Sequence, residues 1–130
     1  MDLTNCFGKV YLTDDEKVDV SCLSNVHTLN LSKCNKIIDA SKLGNVHTLN
    51  LSYCHNITNV SMLGKVHALN LSHCTNITNV SMLGNVHTLN LSHCHNITDM
   101  SMLEKRLVYT LNLSHCRNIT DISMLKNVQL

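Results

Sequence analysis

Proline and tryptophan are absent from these 130 residues, phenylalanine occurs once and tyrosine three times. Without proline, the corners of the fold must come from asparagine, aspartate, serine and glycine. Without tryptophan, a contact surface lacks the residue that most often anchors protein–protein binding, so modest affinity is expected of any such surface. Charged residues make up only 15% and the formal net charge is +1. The basic patch that nucleic acid or an anionic membrane demands is therefore missing, and neither is expected as a partner. The longest basic run is the pair Lys105-Arg106. No apolar stretch approaches the roughly 20 residues needed to span a bilayer. Residues Met1 to Cys6 carry neither the basic nor the apolar region of a secretory signal, so a cytoplasmic location is the expectation. With four glycines, no Gly-x-Ser-x-Gly, no phosphate-cradling loop and no His-Glu-x-x-His, the sequence offers no catalytic residues and no cofactor or metal site. An enzyme is not expected.

What the chain has in abundance is internal repetition. Val26-His27-Thr28-Leu29-Asn30-Leu31-Ser32 returns at Val46, Val66 and Val86 in steps of 20 residues, and at Val108 after 22. A degenerate copy one residue shorter precedes them, carried by Phe7, Val10, Leu12, Asp15, Val18, Val20 and Leu23. The chain thus divides into a tail (1–6), six units (7–25, 26–45, 46–65, 66–85, 86–107 and 108–127) and the start of an incomplete one (128–130). Within a unit the apolar positions are 1, 4, 6, 9, 12, 15 and 18; in the unit from Val46 they are Val46, Leu49, Leu51, Cys54, Ile57, Val60 and Leu63. Thr-Leu-Asn-Leu-Ser alternates with period two and predicts a short strand. Beyond the cysteine the apolar spacing becomes three, with turn-forming residues between. The stretch from Ile57 to Val66 is too short for an ordinary helix and two corners, which predicts an extended or 3₁₀ segment. One unit cannot bury enough apolar surface to offset the entropy of ordering its backbone, so the units must stack and pair their strands.

Seven cysteines is an odd number, and Cys34, Cys54, Cys74, Cys94 and Cys116 share position 9. The alternation aims that position inward, so the five thiols are expected to form a core ladder, packing as small hydrophobes and donating to backbone carbonyls. The nine histidines also fall into columns: His27, His47, His67 and His87 at position 2, His73, His93 and His115 at position 8, His55 and His95 at position 10. Neighbours on an extended chain face opposite ways, so His93-Cys94-His95 does not converge on one ion. Protonating all nine would take the formal charge from +1 to +10. Cations stacked about 5 Å apart repel, so the pKa values should fall below about 6.5. Asn-x-Ser/Thr occurs eleven times. Its middle residue is always a core position, so the repeat itself generates the pattern and glycosylation is not expected. Asn30, Asn50, Asn70, Asn90 and Asn112 should form an outward amide ladder on the sheet, and Asn56, Asn76, Asn96 and Asn118 should serve the turn out of the strand.

Val46-His47-Thr48-Leu49-Asn50-Leu51-Ser52-Tyr53-Cys54-His55-Asn56-Ile57 resembles, position by position, the segment L-x-x-L-x-L-x-x-C-x-x-L of the cysteine-containing leucine-rich repeats. The following Ile-Thr-Asn/Asp-Val-Ser-x-Leu-Gly resembles the tail of the internalin and SDS22-like subclasses, shortened by about two residues. The near-identical copies also resemble the leucine-rich-repeat proteins of large DNA viruses of amoebae. The resemblance covers residues 7–127 and implies a right-handed, horseshoe-type solenoid, with a parallel β-sheet on one face, short extended or 3₁₀ segments on the other and little or no α-helix. For function it implies a non-catalytic protein–protein interaction module, with partners that differ from member to member.

Variation between copies locates a candidate binding face. Position 8 runs Lys33, Tyr53, His73, His93, His115 and position 10 runs Asn35, His55, Thr75, His95, Arg117, whereas positions 3, 5 and 7 stay nearly constant as Thr, Asn and Ser. The contact is expected on this rim and the adjoining Asn/Ser face. The alternative expectation is a structural element: Val128-Gln129-Leu130 starts an unfinished copy, and an uncapped C-terminal edge invites self-association.

Overall fold

The computed structural model describes residues 20–101, 108–121 and 123. The tail, most of the first unit, the two-residue insertion near Glu104 and the unfinished copy at 128–130 lie outside the described residues.

Each of the five repeats from Val26 onward contributes one three-residue strand: β1 (Thr28–Asn30), β2 (Thr48–Asn50), β3 (Ala68–Asn70), β4 (Thr88–Asn90) and β5 (Thr110–Asn112). They form a single parallel sheet in sequence order. Each residue pairs with its equivalent one repeat on, Leu49 with Leu69 and Leu89 with Leu111. The longer step before β5 leaves the register intact. Backbone pairing continues past the strands, from Leu51 N–H to the Asn70 carbonyl at 2.8 Å and from Tyr53 N–H to the Ser72 carbonyl at 2.9 Å. On the other face run single 3₁₀ turns at Ser21–Leu23, Ser41–Leu43, Ser61–Leu63 and Ser81–Leu83. The spacing-three segments therefore close as 3₁₀ turns. Asp39, Asn59, Asn79, Asp99 and Asp121 set the entry, each accepting through Oδ1 from the N–H of the serine two residues on, at 2.8–2.9 Å.

All seven apolar positions of the unit from Val46 are buried, Leu51, Cys54, Ile57 and Leu63 to 0% exposure. Their equivalents in neighbouring repeats join them in one continuous core. The solenoid expected from the repeat is the observed architecture.

Two ladders stitch repeat to repeat. The thiols of Cys54, Cys74, Cys94 and Cys116 donate to the carbonyls of Leu31, Leu51, Leu71 and Leu91, at 3.2, 3.1, 3.1 and 2.9 Å. Asn56, Asn76, Asn96 and Asn118 donate through Nδ2 to the carbonyls of Asn35, His55, Thr75 and His95, each at 2.6 Å. These four cysteines thus give a second donor, from the next repeat, to carbonyls that already accept from the cysteine N–H of their own turn. Burial pushes the thiols of Cys54, Cys74 and Cys94 up to about 12. A thiolate is the reactive form, so these three should resist iodoacetamide in the folded chain while exposed Cys22 is modified. Peptide mass spectrometry after native alkylation checks this; label on Cys74 at the rate of Cys22 would contradict an inward ladder.

Candidate functional site

The rim just past the carboxyl ends of the strands is where the backbone departs most from the sequence expectation. Lys33, Tyr53, His73, His93 and His115 all adopt the left-handed conformation, with φ between 60 and 64°. The turn out of the strand was assigned to Asn56, Asn76, Asn96 and Asn118. The chain leaves the strand three residues earlier, at position 8; those asparagines lie in a second turn, which Ile57 N–H closes on the Cys54 carbonyl at 3.3 Å, and also build the inter-repeat ladder. The left-handed step swings the chain so that the serine before it is buried and the cysteine after it faces the core; Ser52 is 7% exposed and Cys54 0%. The position-7 serines therefore do not contribute an outward row. Asn50, Asn70 and Asn90 are half-buried, and their Oδ1 atoms accept from the N–H of Ser52, Ser72 and Ser92 at 2.9–3.0 Å.

A left-handed residue with a Cβ costs roughly 1–2 kcal/mol, and here five successive repeats carry one. What the strain supports is a ridge of parallel rings. Tyr53 stacks on His73 at 4.1 Å, His73 on His93 at 4.1 Å and His93 on His115 at 4.3 Å, with interplanar angles of 9–18°. The Lys33 ammonium lies over the outer face of Tyr53, 5.9 Å from the ring centre. His55 meets Tyr53 edge-on at 6.3 Å, and His95 meets His93 edge-on at 5.9 Å. Each such pair contributes about 0.5–1.5 kcal/mol beyond its buried area, which offsets much of the backbone strain. His95 Nδ1 is buried without a hydrogen-bond partner among the described residues. The ridge thus gathers Lys33, Tyr53, His73, His93, His115, His55 and His95, with the positive field of Arg117 reaching His93.

A second column flanks the strands at their amino ends. His27, His47, His67 and His87 stack at 4.6–4.7 Å, and Tyr109 continues the column at 5.2 Å from His87. Nδ1 of His27, His47 and His87 lies 3.2 Å from the hydroxyl of the following threonine. Among the described residues no group of three or more histidines, cysteines or carboxylates is placed to hold a metal ion.

Two protonated imidazoles 4 Å apart repel by about 1 kcal/mol even in water. Loss of water between packed rings, and then the charges of its neighbours, lower the pKa of three histidines. For His47 the neighbours are His27 and His67; for His73 they are His55, His95 and His115; for His93 they are His73, His115, His95 and Arg117. The unfolded chain has no such stacks and titrates near 6.5. Below about that pH it binds more protons than the folded chain, so acid favours unfolding. Stability is complete above about pH 6.5 and falls as the pH drops through the depressed values. The carboxylates of Asp39, Asp99 and Asp121, held below 3.8 by their hydrogen bonds to the N–H and hydroxyl of Ser41, Ser101 and Ser123, add their own loss only at lower pH. Thermal melts from about pH 7.5 to 5 should show a falling midpoint, and the joint change His47→Gln, His73→Gln, His93→Gln should flatten it. A midpoint constant across that range would refute the stacked-imidazole account.

Residues 85–102 match the Leucine Rich repeat family. No curated protein matches the chain by sequence. In three dimensions the chain is similar to internalin C2 from Listeria monocytogenes, with a TM-score of 0.60 and 24% identity over 89% of this chain and 65% of that one. It is also similar to an internalin, inlF, from the same organism, with a TM-score of 0.54 and 21% identity over 86% of this chain and 49% of that one. The chain spans less than two thirds of the length of either internalin. Among the described residues no helix is long and apolar enough to cross a membrane.

Proposed function

We infer that this chain, a leucine-rich-repeat solenoid by fold, is a non-catalytic protein-binding module that makes contact through the ridge at the carboxyl ends of its strands. One observation carries the reading: five successive exposed or half-exposed positions hold large side chains in a left-handed backbone that glycine would adopt at no cost. The fold needs a left-handed residue at this position, and glycine would supply it without strain; large side chains kept there at an accessible rim, repeat after repeat, are a mark of function. The constant core fixes ring spacing, while the differences between Lys33, Tyr53, His73, His93 and His115 set what the ridge recognises. Ring faces with polar edges suit a polypeptide surface, to which they offer both contact area and hydrogen bonds. Asn50, Asn70 and Asn90 border the contact and supply its sheet side.

The test is affinity capture with three baits. One is the native chain, one carries Tyr53→Ser, His73→Ser and His93→Ser, and one carries Met62→Ser and Met82→Ser on the exposed 3₁₀ turns. A protein held by the native and methionine-changed chains and lost from the ridge-changed chain supports the reading, given equal folding by circular dichroism. Equal retention by all three baits refutes it.

A further inference from the structure

We propose that the ridge takes an acidic polypeptide segment and that imidazole protonation gates this binding, weak at about pH 7.5 and tight at about pH 5.5. The proposal rests on the binding-module reading and adds the partner's chemistry and its control.

The first observation is the segregation of charge. All nine histidines lie in the two columns and the position-10 row beside them, and the ridge itself holds five: His55, His73, His93, His95 and His115. Its permanent cations are Lys33 at one end and Arg117 at the other, with Lys36 nearby on the rim. The carboxylates among the described residues are Asp39, Asp99 and Asp121, and each accepts from the N–H of the serine two residues on. Across the sheet the facing groups are His27, His47, His67, His87 and Tyr109, again without a carboxylate among the described residues. Among the described residues, a face so rich in titratable bases has no internal acid to neutralise it.

The second observation is spacing. Rings at 4.1–4.3 Å cannot all become cations without repelling one another, so the bare ridge resists charging. A row of carboxylates laid along it removes that resistance. Binding then raises proton affinity and protonation raises binding, by the same factor. Glutamate, with a pKa of about 4.3, stays ionised where imidazole, at about 6.5 or below, gains its proton. Between those values a bound row of carboxylates stays ionised and draws protons onto the imidazoles it faces. Nucleic acid fits less well, because phosphate tracking depends on permanent cations and the ridge supplies few.

The probe is fluorescein-labelled decaglutamate, followed by anisotropy at constant ionic strength. The dissociation constant should fall about tenfold or more from pH 7.5 to 5.5. Calorimetry in two buffers of different ionisation enthalpy should register proton uptake. The joint change His73→Gln, His93→Gln, His115→Gln should abolish the gain; His27→Gln, His47→Gln, His67→Gln, His87→Gln should keep it. If acid melts the chain, His73→Lys with His93→Lys supplies fixed charge, and this variant should bind decaglutamate at pH 7.5 more tightly than the native chain. A pH-independent constant, tighter binding of oligothymidylate of equal length, or equal loss from both histidine variants would overturn the proposal. Decaglutamate that fails to bind at any pH, alongside ridge-dependent protein capture, sinks the acidic partner and leaves the module standing. Loss of both sinks the module too.

Discussion

Replacing Leu71 with alanine is expected to lower the free energy of unfolding by about 2–5 kcal/mol, a large share of the roughly 5–15 kcal/mol that holds most domains together. The Leu71 side chain is 0% exposed and sits between its equivalents Leu51 and Leu91, both also 0% exposed. The surrounding backbone is pinned. Leu71 N–H donates to the Asn90 carbonyl at 2.8 Å, and its own carbonyl accepts from Cys74 N–H and from the Cys94 thiol, both at 3.1 Å. A wall held by hydrogen bonds within its own repeat and to the next one cannot collapse into the space left behind, and cavities that stay open cost most. In a stack where each repeat touches only its neighbours, the damage also uncouples the units on either side. Leu113, the same position in the repeat of β5, is only half-buried, so Leu113→Ala should cost less. Urea denaturation of the two variants decides the point. Equal losses would mean that the column is not a continuous core.

The periodicity of the apolar positions was enough to read the strands, the inward cysteines and the 3₁₀ back face, because each depends on which residues are apolar and how far apart they lie. The ridge was legible only in part. Variation at positions 8 and 10 marked the rim, and those residues do come together there. The backbone that presents them was not foreseen, because lysine and tyrosine are poor signals for a left-handed turn, histidine is a weaker one than asparagine, and asparagine stands three residues on. The tertiary demand prevailed: position 9 must face the core and position 7 must be buried, and only a left-handed residue between them achieves both. A weak trace of this was present. Position 8 holds Lys, Tyr and His and never a β-branched residue, the class that conformation tolerates least. The Asn50 side chain does lie on the face opposite Leu49 and Leu51, half-buried, and strict alternation fails only two residues on, at buried Ser52. The chain begins to bend there, and Asn50 Oδ1 accepts from Ser52 N–H at 2.9 Å.

Gly64→Ala should destabilise the chain by about 1–3 kcal/mol, although the local backbone gives no reason for it. Gly64 has φ −65° and ψ −14°, a conformation open to any residue. At such a site alanine usually stabilises by about 0.4–1 kcal/mol, through the unfolded chain. The sign is reversed by the next repeat. A Cβ on Gly64 would run into the backbone carbonyl oxygen of Met82, and one on Gly44 into that of Met62, closer than real Cβ contacts come. Neither carbonyl can retreat cheaply, since Leu63 and Leu83 beside them are fully buried and their N–H groups close the 3₁₀ turns on Val60 and Val80 at 3.0 Å. The same position in the preceding turn holds Ser24, and there the turn at Ser21–Leu23 packs less closely on the turn at Ser41–Leu43. A side chain at this corner is thus accommodated by spreading the back face, which an interior turn clamped on both sides cannot do. Ser24→Gly should accordingly change stability little, while Gly64→Ala lowers the urea midpoint. A midpoint that rises on Gly64→Ala would show that unfolded-state entropy outweighs the clash, and that the 3₁₀ turns are free to separate.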